Sequence, residues 1–200
     1  VSQRPFMKLP SAFSTIRLRH MALQKARREV LGRSNEALSK SKRAIFALHR
    51  EDTSSASLLL AQAVELFKQS ERLFTSVPEL AHEGVYRAAL EEYAEARLFQ
   101  GYLATGKLGK LEARAMDPAI YVGGLCDATG EMVRYALRQV THGNPQAVQD
   151  VHEAVAAVIE FLLDLDLTGY LRTKFDQAKK NLARLEEMTY DLAIRGSRRV

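Results

Sequence analysis

Residues 13–51 read FSTIRLRHMALQKARREVLGRSNEALSKSKRAIFALHRE, which is the longest helical pattern in the sequence. Apolar side chains recur in it at mixed spacings of three and four residues, as they do along one face of an α-helix. These positions are Ile16, Met21, Leu23, Val30, Leu31, Leu38, Ile45, Phe46 and Leu48. Asp52, Thr53 and Ser54 follow and are residues that break and recap helices. The segment therefore predicts one long helix that buries an apolar face.

The rest of the chain continues the helical pattern, and no segment shows the alternation of a β-strand. Further helices are predicted at about residues 55–74, 78–104, 117–140, 145–163 and 170–194, with a loop at 105–116. Pro78 suits a first helical position, and Gly196 suits the residue after a helix. We therefore predict an all-α, single-domain antiparallel bundle of six to seven helices over residues 1–200, with flexible ends at 1–10 and 197–200.

Composition places the chain among globular proteins, because 46% of its 200 residues are hydrophobic and 26% are charged. A formal net charge of +5 and an isoelectric point near 9.4 fit a polyanionic partner such as nucleic acid. A lone cysteine, Cys126, cannot form an internal disulfide, which favours a reducing compartment. No apolar run is long enough to span a membrane. We expect a cytoplasmic protein without a membrane partner.

Two pairs of acidic residues have the spacing of one helix face. Glu92 and Glu95 are three residues apart in the predicted third helix, and Asp127 and Glu131 are four apart in the fourth. The second pair lies among small and apolar residues, where two like charges destabilise a helix unless a cation neutralises them. If the two helices pack side by side, four carboxylates converge, which is the ligand type that Mg²⁺ or Mn²⁺ prefers. Such a metal can bind a phosphate oxygen and activate water.

Other interpretations of the same residues remain open. Acids three or four residues apart are also typical of a solvated helix face with Lys and Arg partners. Glu79 and His82 have the Glu-x-x-His spacing of di-iron bundles, but that architecture needs a second copy, which we do not find. Cys126 lacks the His and Asn partners of a nucleophile and is better explained as a buried structural thiol. The five histidines show no zinc-binding spacing.

The first predicted helix carries a strong excess of positive charge. Its bases are Arg17, Arg19, Lys25, Arg27, Arg28, Arg33, Lys40, Lys42, Arg43 and Arg50, with His20 and His49 among them. Its acids are Glu29, Glu36 and Glu51. Such a helix can follow a phosphate backbone without reading sequence. A solvated surface with local ion pairs is the alternative.

Four motifs occur in the order that the translin family has them. Residues 42–50 are similar to a basic-apolar segment of its first helix, and residues 92–96 resemble its Glu-Tyr-x-Glu-Ala segment. Residues 124–134 are close to its Gly-x-x-Asp-Leu-Thr-Gly-Glu-Leu-x-Arg signature, and residues 190–197 resemble its C-terminal motif. The chain thus resembles the translin family, and within it the catalytic subunit type of translin-associated protein X.

The resemblance implies a translin-like helical bundle in a closed, hollow oligomer that encloses RNA. It also implies a Mg²⁺-dependent endoribonuclease that cleaves single-stranded RNA, with Mn²⁺ as a substitute. The family's acidic site corresponds to Glu92, Glu95, Asp127 and Glu131, as catalytic and metal-binding residues. We expect the RNA backbone to be guided by Arg17, Arg28, Lys42, Arg43, His49 and Arg50.

The chain also departs from the X-type pattern. Ala128 stands where the family has leucine, and the long insert between the third and fourth helices is missing. These departures suggest a prokaryotic, in particular archaeal, version that forms a homo-oligomer of six to eight copies. The alternative function is a non-catalytic translin-like protein that binds single-stranded RNA or DNA, and a purely structural bundle is a third possibility.

Overall fold

Helices make up almost all of the described structure. The computed structural model describes residues 10–108 and 116–197, with side chains up to Ile194. Its helices are α1 (Ser11–His49), α2 (Thr53–Phe74), a 3-10 helix (Pro78–His82), α3 (Gly84–Thr105), α4 (Pro118–Thr141), α5 (Gln146–Leu163) and α6 (Gly169–Ser197). No strand occurs in these residues, so the all-α prediction is confirmed. The predicted flexible ends fall largely on residues 1–9 and 198–200, which lie outside the described residues.

Local capping explains where several helices begin. The Asp52 carboxylate accepts a hydrogen bond from the Ser55 amide at 3.0 Å, which caps the start of α2. The Asp117 carboxylate does the same for α4 through the Ala119 amide at 2.8 Å. Gly106 ends α3 with a φ of 69°, a left-handed conformation that favours glycine. The predicted breaks at these positions are confirmed.

Two predicted boundaries were wrong. Pro78 does not begin the third helix: it begins a separate 3-10 helix, and Glu83 interrupts the chain with a ψ of 127° before α3 starts. Tertiary contacts explain the break, because Leu80 is buried and the Glu83 carboxylate pairs with Arg27 of α1 at 2.8 Å. Gly196 does not end α6, which continues to Ser197.

Two apolar clusters form the core. The larger one joins the C-terminal part of α1 and the first turns of α2 to α3, α4, α5 and α6, and Phe99, Met132 and Leu162 are among its fully buried side chains. The smaller one joins α1, α2, the 3-10 helix and α3 around Val30 and Phe67. Helix α3 packs beside the C-terminal part of α1. Helix α4 packs on α3, α5 and α6. Helices α3 and α4 are thus neighbours, as the carboxylate argument required.

The N-terminal half of α1 does not follow its predicted burial. Ile16 and Met21, expected on the core face, are 64% and 60% exposed, and Phe13 and Leu18 beside them are exposed as well. Residues 11–22 of α1 are exposed and lie outside the two clusters of their own chain, whereas the smaller cluster begins at Leu23. Phe46, further along α1, is also largely exposed, although the periodicity placed it in the core.

Among the described helices, none combines the length and the apolar character needed to cross a membrane.

Candidate functional site

The four predicted acidic residues face one another between α3 and α4. Glu92 and Glu95 lie on α3, and Asp127 and Glu131 lie on α4. They are close enough to influence one another's ionisation, since the other three carboxylates each raise the pKa of Glu95. Two of them, Asp127 and Glu131, also raise the pKa of Glu92. The structure thus brings together all four residues that the spacing paired. We call this group the acidic cluster.

Glycines on α4 allow the two helices to approach each other. A Cβ atom at Gly124 would lie 2.7 Å from the Ala94 Cβ and 2.9 Å from the backbone oxygen of Glu91. Both atoms are fixed parts of α3, so they cannot rotate away. A Cβ atom at Gly123 would collide with the Glu91 carboxylate. The glycine pair therefore sets the spacing that puts the acids of α3 beside those of α4.

Burial changes the acid strength of the cluster. Glu95 is 9% exposed, and its carboxyl group has no ion-pair or hydrogen-bond partner among the described residues. Burial, with its acidic neighbours, raises the pKa of Glu95 to about 9. Burial also raises the pKa of Glu92, although Lys42 opposes the shift. Without a bound cation, Glu95 is therefore protonated at neutral pH.

A lysine from α6 contacts acids of both α3 and α4. The Lys174 ammonium group contacts the Asp127 carboxylate and lies 2.6 Å from Glu91 Oε1. The Tyr170 hydroxyl donates a hydrogen bond to the same Glu91 oxygen at 2.7 Å. Burial lowers the pKa of Lys174, but its hydrogen bonds with Asp127, Glu91 and Tyr170 outweigh this and raise the pKa above its ordinary value. Lys174 is therefore charged.

His49 lies in the acidic cluster rather than on the exposed basic face. It is 4% exposed, its Nε2 contacts the Glu131 carboxylate, and its ring packs on Phe99 with centroids 4.9 Å apart. Its Nδ1 is buried without a hydrogen-bond partner in the described structure. The expectation that His49 guides RNA from an exposed position does not fit this placement. Its contact with Glu131 instead makes it a residue that orients a carboxylate.

The opening of the cluster is lined by cations and one aromatic ring. Lys42 lies 3.9 Å from Glu92, and Arg134 lies 3.5 Å from Glu131. The Arg134 guanidinium stacks over the Phe46 ring, 5.2 Å from its centroid, and Phe46 is 53% exposed. The other predicted RNA-binding residues, which are exposed on or directly after α1, are Arg17, Arg28, Arg43 and Arg50. None of these four forms an ion pair with the cluster.

Three carboxylates of the acidic cluster, those of Glu92, Asp127 and Glu131, each pair with a lysine or arginine side chain. Within residues 10–108 and 116–194, no group of three or more His, Cys, Asp or Glu side chains is arranged to hold a metal ion. The donor set nevertheless suits a hard divalent cation, because four carboxylates converge and buried Glu95 lacks a partner. A cation there would remove the repulsion that makes Glu95 a weak acid.

Two other candidate sites from the sequence lack the surroundings that their chemistry would need. Glu79 and His82 lie exposed on the 3-10 helix, and no second Glu-x-x-His site joins them among the described residues. Cys126 is buried, and burial raises the pKa of its thiol to about 12. The thiol therefore stays protonated, which fits a structural role.

Sequence reasoning missed four residues of the site. Glu91 is adjacent to the predicted Glu92, and its i,i+4 relation to Glu95 was an available signal. Arg134 follows Glu131 by three residues, which also places it on the same face. Lys174 and Phe46 carried no such signal, because their positions depend on how α6 and α1 pack against the other helices.

Comparison with known proteins gives the family. A model of the translin family matches residues 25–196. This chain belongs to the translin family. Translin-associated protein X of Pongo abelii is 24% identical to this translin-family chain in an alignment 206 residues long, gaps included, that covers 82% of this chain and 71% of the relative. The translin-associated protein X homolog of Schizosaccharomyces pombe is 27% identical over 195 residues, with 86% and 83% covered.

Solved structures show the same translin-family fold. The crystal structure of apo-NeC3PO matches with a TM-score of 0.82 at 22% identity, covering 91% of this chain and 97% of that one. A structure of AfC3PO in complex with duplex RNA matches with a TM-score of 0.80 at 24% identity, covering 92% and 97%. The predicted translin-like fold is thus confirmed.

Proposed function

We propose that this translin-family protein is a Mg²⁺- or Mn²⁺-dependent endoribonuclease that cleaves single-stranded RNA inside a hollow homo-oligomer. The observation that carries the proposal is the acidic cluster itself: four carboxylates from two helices, brought together by a glycine contact. A structural bundle has no need to place four acids against one another, because the repulsion destabilises it. A site for a divalent cation does need them.

The residues of the cluster have different expected roles. Glu92, Glu95, Asp127 and Glu131 would hold the cation. When bound, Mg²⁺ or Mn²⁺ neutralises charge on the scissile phosphate and makes a water molecule more acidic. Because the pKa of Glu95 is raised to about 9 and its carboxyl group has no ion-pair partner, it is our candidate to orient that water or accept its proton. His49 orients the Glu131 carboxylate through the contact of its Nε2 atom.

The opening of the cluster favours a single strand. Lys42 and Arg134 border the acids and can contact backbone phosphates on either side of the cut. Phe46 is an exposed ring beside Arg134, and an unstacked base can pack on such a ring. A base held in a duplex cannot, because it is already stacked on its neighbours. AfC3PO is described in complex with duplex RNA, so both substrates belong in the assay.

The proposed oligomer has support in the exposed part of α1. Phe13, Ile16, Leu18 and Met21 each expose more than half of their surface. Apolar side chains grouped in this way are typical of an interface between subunits. The same half of α1 carries Arg17 and other bases, which an assembly would concentrate along one surface. We therefore propose a closed homo-oligomer of six to eight copies.

The first experiment is cleavage of a labelled single-stranded RNA by the purified protein in Mg²⁺, in Mn²⁺ and in EDTA. Asp127→Asn and Glu131→Gln should reduce cleavage to background, since each removes one metal-binding charge. Asp176→Asn is the matched control: it removes an acid from an exposed ion pair with Lys179 on α6 and should cleave normally. Full cleavage by Glu131→Gln in Mg²⁺ would refute the site. Cleavage of duplex and single-stranded RNA at equal rates would refute the substrate class.

One observation favours the alternative, a translin-like protein that binds RNA or DNA without cutting it. Three of the four acids already have protein cations as partners: Glu92 has Lys42, Asp127 has Lys174 and Glu131 has Arg134. Such pairing would suffice for a purely structural cluster. This alternative expects salt-sensitive binding of single-stranded RNA that is equal in Mg²⁺ and EDTA, with no cleavage products. Filter binding in the same buffers separates the two functions.

A further inference from the structure

Lys174 is the most enclosed cation of the acidic cluster. Its side chain is 16% exposed, whereas those of Lys42 and Arg134 are 56% and 44% exposed. The ammonium group contacts Asp127 and lies 2.6 Å from Glu91, whose side chain is 14% exposed. It also lies 5.2 Å from the centroid of the Tyr170 ring. Its position is therefore fixed by groups from three helices, α3, α4 and α6.

The neighbours of Lys174 explain why a positively charged side chain lies at this position. The Glu91 side chain is 14% exposed and the Asp127 side chain 34%, and two partly enclosed carboxylates that meet at one point repel each other unless a cation lies between them. Lys174 provides it for both. The Gly123 backbone leaves the space that the Glu91 carboxylate occupies, since a Cβ atom there would collide with it. The chain has thus built a position for one cation beside Asp127, and its own ammonium group fills it.

We propose that the Lys174 ammonium group is a built-in counterion that a divalent cation must displace from Asp127 when it binds the acidic cluster. This inference rests on the proposed function, because it presupposes a metal at the cluster. Lys174 contacts no substrate in this scheme and is a positioning residue. Once released from Asp127, it keeps its contact with Glu91 and stays in the site.

The sign of the effect distinguishes displacement from simple support. If Lys174 competes with the metal, removal of its charge strengthens metal binding. The ammonium group then no longer occupies the position beside Asp127, and it no longer repels the incoming cation. We expect Mn²⁺ to bind Lys174→Met at least about tenfold more tightly than it binds the unaltered protein. The same change should destabilise the metal-free protein, since Asp127 and Glu91 lose their counterion. If Lys174 only supports Asp127, both metal affinity and stability should fall.

The test is calorimetric titration of the purified protein with Mn²⁺, together with urea unfolding in EDTA and in saturating Mn²⁺. Lys179→Met is the matched control, because it removes one charge and one ion pair from α6, at a more exposed position. It should leave Mn²⁺ affinity unchanged. Lys174→Arg keeps the charge and should bind Mn²⁺ no more tightly than the unaltered protein. Lys174→Gln keeps a hydrogen-bond donor without the charge, and it serves if Lys174→Met does not fold.

Each outcome has a distinct meaning. Tighter Mn²⁺ binding by the uncharged variants, with lower stability in EDTA, supports the inference. Equal or weaker binding by them, while the unaltered protein binds Mn²⁺, overturns the inference and leaves the proposed nuclease intact. Absence of Mn²⁺ binding in every variant, with no cleavage, overturns both. Binding by the uncharged variants alone supports displacement and shows that the native site is closed by its own lysine.

Discussion

Replacement of Gly124 by alanine should push α3 and α4 apart. The new Cβ atom would lie 2.7 Å from the Ala94 Cβ, 2.9 Å from the Glu91 backbone oxygen and 3.0 Å from the Glu95 amide nitrogen. Carbon atoms in ordinary contact are about 3.5–4.0 Å apart, so the helices must separate by up to about 1 Å. Gly130 provides the control on the same helix, because its nearest neighbour would be the Asn181 side chain at 3.5 Å.

The expected energies have opposite signs at the two positions. Alanine is favoured over glycine in a helix by about 1 kcal/mol, and this gain applies at both. At Gly124 it is offset by overpacking, which costs about 1–3 kcal/mol and falls here on atoms that cannot rotate away. We expect Gly124→Ala to lower the free energy of unfolding by about 1 kcal/mol and Gly130→Ala to raise it by about 1 kcal/mol.

The assay is urea unfolding in EDTA at one fixed protein concentration, since assembly adds to apparent stability. A difference of about 2 kcal/mol between the variants corresponds to a shift of about 1 M in the urea midpoint. Gly124→Ala should also bind Mn²⁺ more weakly, because the acids of α3 move away from those of α4. If Gly124→Ala proved as stable as Gly130→Ala, the close helix contact would not exist and the geometry of the acidic cluster would be wrong.

Three further predictions concern acidity, thiol reactivity and assembly. The pKa of Glu95 is raised to about 9, so its contribution to stability is complete below about pH 4.5 and is lost as pH rises toward 9. Glu95→Gln should therefore stabilise the metal-free protein by about 2–4 kcal/mol at about pH 8 and by less than about 1 kcal/mol at about pH 5. Urea unfolding at both pH values checks this prediction. An equal effect at the two pH values would contradict it. Cys126 should resist iodoacetamide in the native protein and react in urea, as mass spectrometry would show, because burial raises its pKa to about 12. Ile16→Lys should reduce the oligomer mass seen by light scattering, whereas an unchanged mass would remove that half of α1 from the interface.

Periodicity predicted the helices well, because each buries an apolar face and the spacing records which face that is. It failed between Pro78 and Gly84, since the break there depends on Arg27 of another helix reaching Glu83. It also failed for Ile16, whose apolar side chain is exposed in the single chain. A pattern along one helix identifies an apolar face but not which part of it this chain covers.

The acidic cluster could be predicted in part for a related reason. Spacing placed each acidic pair on one helix face, and the family motifs chose the same residues. Spacing could not predict the contact between Lys174 and Asp127, because 46 residues, which include all of α5, separate them in the chain. Nor could it separate buried His49 from exposed Lys42, because that distinction depends on which side of α1 meets α4.

The order of the charges along the chain has a consequence for biosynthesis. The acids of α3 and α4 are made before the lysine that neutralises Asp127 and Glu91, because that lysine belongs to α6. Until then, Asp127 and Glu91 lack a counterion on the faces of α3 and α4 that must pack. The charge balance at Asp127 and Glu91 is therefore complete only once α6 has been made, and a product that stops after α5 would retain these two acids without their counterion.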